Sequence, residues 1–374
     1  MKVLINALST APGGSLTHLL GLLDGFRQVG FAPNVSIVAS YPDTVHALEA
    51  RGWNPITTRV KDPLKRAFWE AHSLPHLIQF TNADLLYSSN FMSLGATCPQ
   101  IVYHQNAHVF APFRQTTDPN RKTRFLIQKI AGRYTLKAAD ASVFVSRFLR
   151  GMAEKVSSAT NDRFSVIPYG LGGVYVQTLN HTWAFNLPSF RLAAVQAPLH
   201  HKDNETLLRA FKALLDARPD LPWVLYIAGW LDWSEWKERA RELGVGERIV
   251  WCGFLNEQAV ADLLSGSDAL LFTSTFESFG LPIIEAMACG CPVIATNTSA
   301  IPEVAGGAAV LVPPKSPESI SQAILLLLEK QELRRDLILR GKRRARDFSW
   351  LKAAEEHICL FERMLTRTRQ KELS

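Results

Sequence analysis

Ser274-Thr275-Phe276-Glu277-Ser278-Phe279-Gly280-Leu281-Pro282-Ile283-Ile284-Glu285-Ala286-Met287-Ala288-Cys289-Gly290-Cys291-Pro292-Val293-Ile294-Ala295-Thr296 reads as a loop, a short helix over 282–289, a glycine turn and a buried strand over 293–295. Pro282 suits a helix start, where its missing N–H would have had no partner. Gly280 permits a close backbone approach there, and the outward-pointing amides of a helix start form an anion site. Glu277 lies in the loop and Glu285 about one turn inside the helix, so both can face one ligand. Carboxylates accept from hydroxyls while amides hold phosphate. A ligand that combines a diphosphate with hydroxyl-rich sugars fits both.

Outward from this run, short apolar stretches alternate with amphipathic ones, the pattern of parallel sheets with crossover helices. Upstream, 191–195, 223–228, 249–251 and 269–272 read as strands, separated by helices over 202–215, 233–243 and 257–266. Downstream, 310–311 reads as a strand and 317–330 and 333–348 as helices. Near the N-terminus, 3–7, 35–39, 85–87, 100–103, 141–145 and 164–167 read as strands, with a helix over 16–28. The stretch 171–188 loses periodicity and reads as a linker. The expectation is an α/β chain of two doubly wound Rossmann-like domains, 1–174 and 185–350, facing across a cleft that holds the active site. Ligands in such folds sit beyond the carboxyl ends of the strands.

The length of 374 residues suits two cores, at roughly 150 residues per domain. An apolar fraction of 47% with 20% charged residues argues against disorder. No apolar run approaches the ~18 residues of a membrane span, and the first residues read as a strand rather than a signal peptide. Five cysteines without a Cys-x-x-Cys pair point to reduced thiols in a cytoplasmic protein. Residues 1–180 carry 18 Lys and Arg against 10 Asp and Glu, whereas the remainder carries 23 against 24. The excess includes Lys61, Lys65, Arg66 and a helical stretch with Arg121, Lys122, Arg124, Lys129, Arg133 and Lys137. It reads either as solvated helix faces or as attraction to an anionic membrane surface or a phosphate-bearing acceptor. No recognition motif for nucleic acid accompanies it.

The 274–296 run resembles the E-x7-E signature of glycosyltransferase family 4, whose members have the GT-B fold. Its flanks agree: Gly253-Phe254-Leu255 before it and Ala300-Ile301-Pro302-Glu303-Val304 after it. Val145-Ser146-Arg147-Phe148 and Ile167-Pro168-Tyr169-Gly170 resemble the family's landmarks at the end of the first domain. The likeness is strongest over 248–312.

The resemblance implies a retaining glycosyltransferase moving a hexosyl group from a nucleotide-diphosphate sugar to a glycan or lipid-linked acceptor. On matching positions, Glu277 would contact hydroxyls of the donor sugar and Glu285 the ribose. Phe279, Gly280 and Leu281 would offer amides to sugar and diphosphate. A solvated glutamate near a helix start would explain Glu285 alone, but not the ensemble. Lys202 matches the family's diphosphate lysine, while the usual arginine position holds Ala197. Gly13 and Gly14, after the first strand, match a glycine-bearing loop of the donor site. His104 best matches a histidine near the donor sugar, with His108 second. The resemblance also implies that the C-terminal helix, about 351–374, joins the first, acceptor-side domain.

The chain contains no Asp-x-Asp, the motif by which another glycosyltransferase fold holds a metal on the diphosphate. The expectation is transfer without metal or other cofactor, at the cytoplasmic side and in peripheral contact with the membrane's inner face. The stretch from His200 to Asn204 resembles that of some bacterial mannosyltransferases, which makes GDP-mannose the candidate donor. Two other readings remain: a catalytically silent sugar-nucleotide- or glycan-binding subunit, and a GT-B-type sugar-nucleotide epimerase.

Overall fold

The structure, a computed structural model, describes residues 1–111, 119–157, 161–179, 190–229 and 232–372. The chain divides into two compact units, Met1–Gly170 with Ser349–Ser374, and Leu171–Phe348.

Unit 1 holds a seven-stranded sheet of β1 (Val3–Ala7), β2 (Val35–Ala39), β3 (Ile56–Thr57), β4 (Leu85–Ser89), β5 (Gln100–His104), β6 (Ala141–Phe144) and β7 (Phe164–Val166). Every pair is parallel, in the order β3-β2-β1-β4-β5-β6-β7. All five residues of β1 are buried, as expected of a strand covered on both faces. The helices are α1 (Gly14–Gln28), α2 (Pro42–Glu49), α3 (Pro63–Thr81), α4 (Pro119–Ala138) and α5 (Arg147–Val156). Asp62 caps α3 by accepting from the Leu64 and Lys65 amides at 3.0 Å, and Ser146 caps α5 through Leu149 at 3.1 Å.

Unit 2 holds a six-stranded sheet of β8 (Arg191–Val195), β9 (Val224–Ala228), β10 (Ile249–Gly253), β11 (Ala269–Phe272), β12 (Val293–Thr296) and β13 (Val310–Val312). Its order is β10-β9-β8-β11-β12-β13, again parallel throughout. Its helices are α6 (Gly173–Thr178), α7 (Asn204–Ala217), α8 (Ser234–Glu242), α9 (Glu257–Ser265), α10 (Leu281–Ala288), α11 (Ile301–Ala305), α12 (Pro317–Glu329) and α13 (Gln331–Ala345). Leu207, Phe211, Trp223, Leu225, Ile227 and Ile324 belong to its core, under the α7–α12 layer.

The last helix, α14 (Trp350–Glu372), lies on α1 of unit 1. Gly21 and Gly25, one turn apart on α1, admit it. A Cβ on Gly25 would stand 2.3 Å from the Trp350 carbonyl, and one on Gly21 would meet the Trp350 ring. Beneath the helix, His357 Nε2 and the Tyr87 hydroxyl are 3.0 Å apart, and His18 stacks on Tyr103 at 3.9 Å.

The chain leaves unit 1 at Gly170, four residues before the expected boundary. Leu171 donates its N–H to the Phe348 carbonyl at 3.2 Å, and α6 packs on α9 and α10. The first part of the aperiodic stretch is therefore ordered structure of unit 2, and 180–189 lies outside the described residues.

Each sheet reverses its winding once, between β1 and β4 in unit 1 and between β8 and β11 in unit 2. Those reversals open crevices beyond the strand ends, where ligands of doubly wound folds bind.

Candidate functional site

In unit 2 the chain leaving β8 and the chain leaving β11 meet at that crevice. The His201 carbonyl accepts from the Thr275 amide at 2.7 Å, and from the Ser274 and Thr275 hydroxyls at 3.0 and 3.1 Å. The Thr273 hydroxyl donates to the Lys202 carbonyl at 2.8 Å. Thus clamped, Lys202 Nζ lies 2.5 Å from Glu277 Oε1. Their side chains keep 16% and 13% of their accessible surface. Ser274 donates to the same Glu277 oxygen at 2.6 Å, and the Glu277 amide donates to Ser299 Oγ at 3.0 Å. Lys202 also stands 5.4 Å above the Phe272 ring. Burial alone would raise the Glu277 carboxyl; the Lys202 ammonium, the Ser274 hydroxyl and His201 outweigh it and hold its pKa below the ordinary value.

Gly280, at φ +109°, turns the chain into α10, and no side chain caps that helix. Leu281 is therefore the first helical residue and Pro282 the second, one place later than expected. Phe279 is buried edge-on against Phe348, ring centroids 5.5 Å apart. The packing of Phe279 and the positive φ of Gly280 thus fix the backbone at this turn, where α10 begins.

Glu285 is half-buried on α10. Burial, and then repulsion from Glu257 at the start of α9, push its carboxyl up to about 8. Glu277 and Glu285 are thus driven apart, Glu277 ionised against a cation and Glu285 proton-retentive. Ala197 has its carbonyl engaged by Leu199 N–H at 2.8 Å and Asn204 Nδ2 at 3.3 Å.

The residues expected in unit 1 are not drawn into one cluster. Gly13 (φ +114°) caps α1 and Gly14 begins it, both exposed. His104 ends β5 at the crevice side but is 1% exposed, stacked on Phe144 at 4.9 Å, with Nε2 3.1 Å from Ser142 Oγ. Burial lowers its pKa to about 3, against an opposing pull from the Asn90 backbone. A histidine so enclosed packs as part of the core of unit 1. His108, in the turn Ala107–Val109, is the partly exposed one of the two. Sequence reading gave no role to Ser274 or Ser299. The one signal for Ser274 was a hydroxyl three residues before Glu277.

In the basic stretches, Lys61 and Lys65 are exposed whereas Arg66 is turned partly inward. The side chains of Arg121, Lys122 and Arg124 lie outside the described residues. Further along α4, Leu126, Ile127, Ile130 and Tyr134 are all more than half exposed, interleaved with Lys129, Arg133 and Lys137. Among the described residues no helix is long and apolar enough to cross a membrane.

Residues 182–344 match the profile of a family described as glycosyl transferases group 1. A similar relative is the O-antigen chain mannosyltransferase B of Escherichia coli, 33% identical over 151 residues, which are 40% of this chain and 39% of the relative. Another is a GDP-mannose-dependent α-(1-6)-phosphatidylinositol dimannoside mannosyltransferase of Mycobacterium tuberculosis, 31% identical over 45% of this chain and 42% of its own. The matches thus span about two fifths of those relatives' length. A solved glycosyltransferase of Rickettsia africae superposes with a TM-score of 0.76 at 17% identity, covering 97% of this chain and 98% of its own. The chain therefore has the GT-B fold, and over residues 182–344 it resembles the glycosyl transferases of group 1.

Proposed function

We propose that the protein is a retaining, metal-independent glycosyltransferase of family 4, moving a hexosyl group from a nucleotide-diphosphate sugar to a glycan or lipid-linked acceptor. The observation that carries this is the Lys202–Glu277 pair, set beside the uncapped start of α10 at the switch point of unit 2. Amides of Gly280 and Leu281 face the diphosphate, and Glu285 accepts from the ribose. Glu277 accepts from donor-sugar hydroxyls, and Lys202 both orients that carboxylate and offers positive charge to the leaving phosphate. Amides and an ammonium do here what a metal does elsewhere. Gly13 and Gly14 supply a backbone that a phosphate or sugar can approach closely. No protein nucleophile is named; departure and attack take place on one face of the sugar, which preserves its configuration. GDP-mannose is the donor of choice, since one relative is named for its dependence on it. The exposed apolar and basic face of α4 supports peripheral contact with the anionic inner leaflet of the membrane.

A second reading, a catalytically silent sugar-nucleotide-binding subunit, draws on Ala197 in the arginine's place and on the enclosure of His104. Thermal shift against a panel of nucleoside diphosphates and their sugars identifies the base, since a ligand at 100 times its Kd stabilises by roughly 2.7 kcal/mol. Release of nucleoside diphosphate from the matching sugar donor then separates the readings. The proposal expects turnover that survives EDTA. Binding without turnover favours the silent subunit, and turnover lost to EDTA and restored by Mg²⁺ or Mn²⁺ overturns metal independence.

A further inference from the structure

The switch point of unit 1 holds a pocket of its own. It measures about 40 Å³ and lies beyond the ends of β1 and β4, against α3. Asn6, Glu70 and Ser88 form its floor, buried to 5%, 8% and 2% exposure; Ser9, Arg66 and Phe91 stand at its partly exposed rim. The floor is wired tightly. Asn6 Nδ2 donates to Glu70 Oε1 at 2.9 Å and to Ser93 Oγ at 2.6 Å, while Asn6 Oδ1 accepts from the Leu8 amide at 3.1 Å. Ser88 Oγ is 3.0 Å from Ser93 Oγ.

The rim is wired less tightly: among the described residues the Arg66 side chain comes no nearer to an acid than Nε at 4.0 Å from Glu70 Oε1, too long for a hydrogen bond. Burial raises the Glu70 carboxyl above its ordinary value, with hydrogen bonds from Asn6 and the Leu94 backbone and the charge of Arg66 opposing. Among the described residues the Arg66 guanidinium has no hydrogen-bonded acid, and it meets the Glu70 carboxyl, the Ser9 hydroxyl and Phe91 at one opening.

We propose that this pocket binds the hydroxyl edge of a saccharide, with a vicinal diol bridging Arg66 and Glu70 and the ring lying on Phe91. Arg66 donates to one hydroxyl oxygen while Glu70 accepts from its neighbour, the pairing that an acid beside a base offers to a diol. The volume holds about one or two water-sized groups, hence an edge and not a whole ring. A phosphate or carboxylate is disfavoured by the Glu70 carboxylate beside Arg66. The inference rests on the glycosyltransferase reading for its consequence, that the bound saccharide is the acceptor.

Methyl α-D-mannopyranoside and its singly deoxygenated analogues are the probes, with the full chain observed by saturation-transfer NMR. Two adjacent deoxy positions should abolish the signal, and inorganic phosphate should not compete. Glu70→Gln and Arg66→Met should each weaken binding about tenfold or more. Because Glu70 is buried, Ser9→Ala at the rim is the control for folding: it should weaken binding several-fold at an unchanged melting temperature. In transfer assays these variants should raise KM for the acceptor far more than KM for the donor. Equal binding of every deoxy analogue, binding undiminished in all three variants, or displacement by phosphate overturns the pocket's role. Binding that behaves as expected in a chain that turns over no nucleotide sugar overturns the glycosyltransferase reading alone.

Discussion

Lys202 and Glu277, 75 positions apart in the chain, form a 2.5 Å ion pair that the Ser274 hydroxyl completes. Lys202 is the only cation given a diphosphate role and Glu277 the carboxylate given the sugar, so each positions the other before any ligand arrives. Lys202→Met leaves a mostly buried carboxylate uncompensated and should cost ~3 kcal/mol, the lower end of the range for broken buried pairs. Adding Glu277→Gln should recover part of the loss, with a coupling energy of about 1–3 kcal/mol. Chemical denaturation of the four proteins measures it, and additive losses would mean that the pair contributes nothing as a pair. Glu277→Ala should lower turnover more than affinity for the bare nucleotide. Equal losses would reverse the roles given to the two glutamates.

With Glu285 as the ribose acceptor proposed above, nucleotide binding should be a proton-linked event. Its pKa of about 8 stands above the ordinary 4.5, so near pH 7 the free protein holds a proton there that a ribose-accepting carboxylate must give up. Binding at pH 7 should release about one proton, seen as a buffer-dependent heat in calorimetry. Glu285→Gln should abolish the release and weaken nucleotide affinity by about 1.5–3 kcal/mol. The sign for stability is the reverse of a paired acid's. The folded state binds the extra proton between pH 4.5 and about 8, so stability falls as pH rises through that window. Glu285→Gln should flatten the fall. Unchanged affinity in an intact fold removes the ribose role.

Gly280→Ala tests the backbone of the turn. At φ +109° a side chain is strained, and the new Cβ would come within 3.1 Å of Ile283 Cδ1. The expected cost is about 1–2 kcal/mol of stability, with weaker binding of nucleoside diphosphate and little change for the nucleoside. A uniform loss for both ligands would show that the amides do not hold the diphosphate.

Vesicle co-sedimentation tests the α4 face. Partition into anionic vesicles should exceed that into neutral ones, at about 1 kcal/mol per well-placed cation. It should collapse at 1 M salt, where screening shortens to ~3 Å. Ile127→Glu with Ile130→Glu should abolish it at low salt with the melting temperature unchanged. Equal partition into both vesicle types would leave the face merely solvated.

The two sheets were legible because parallel strands covered on both faces are written as short, nearly unbroken apolar runs. β1 and β2 have the residues expected for them, and β11 and α10 agree to within a residue. Helix α3 was not legible. It carries Pro75 in its interior, where proline removes a helical hydrogen bond, and its buried residues become visible only against the sheet. Helix α6, inside the stretch read as a linker, was not legible because it is short and has no period long enough to read.

Taken alone, the sequence determined the doubly wound class, the place of the glycine turn before α10 and the spacing of Glu277 and Glu285 around it. These are local facts, set by dihedral preference, by apolar period and by spacing within one helix turn. Tertiary structure decided what those residues meet: Lys202 against Glu277, Glu257 near Glu285, Asn6 against Glu70, and His104 walled in by Phe144 and Ser142. Charge state and exposure depend on neighbours brought from distant positions by strand order, which a linear sequence does not carry. That is why two glutamates eight residues apart have their pKa values shifted in opposite directions.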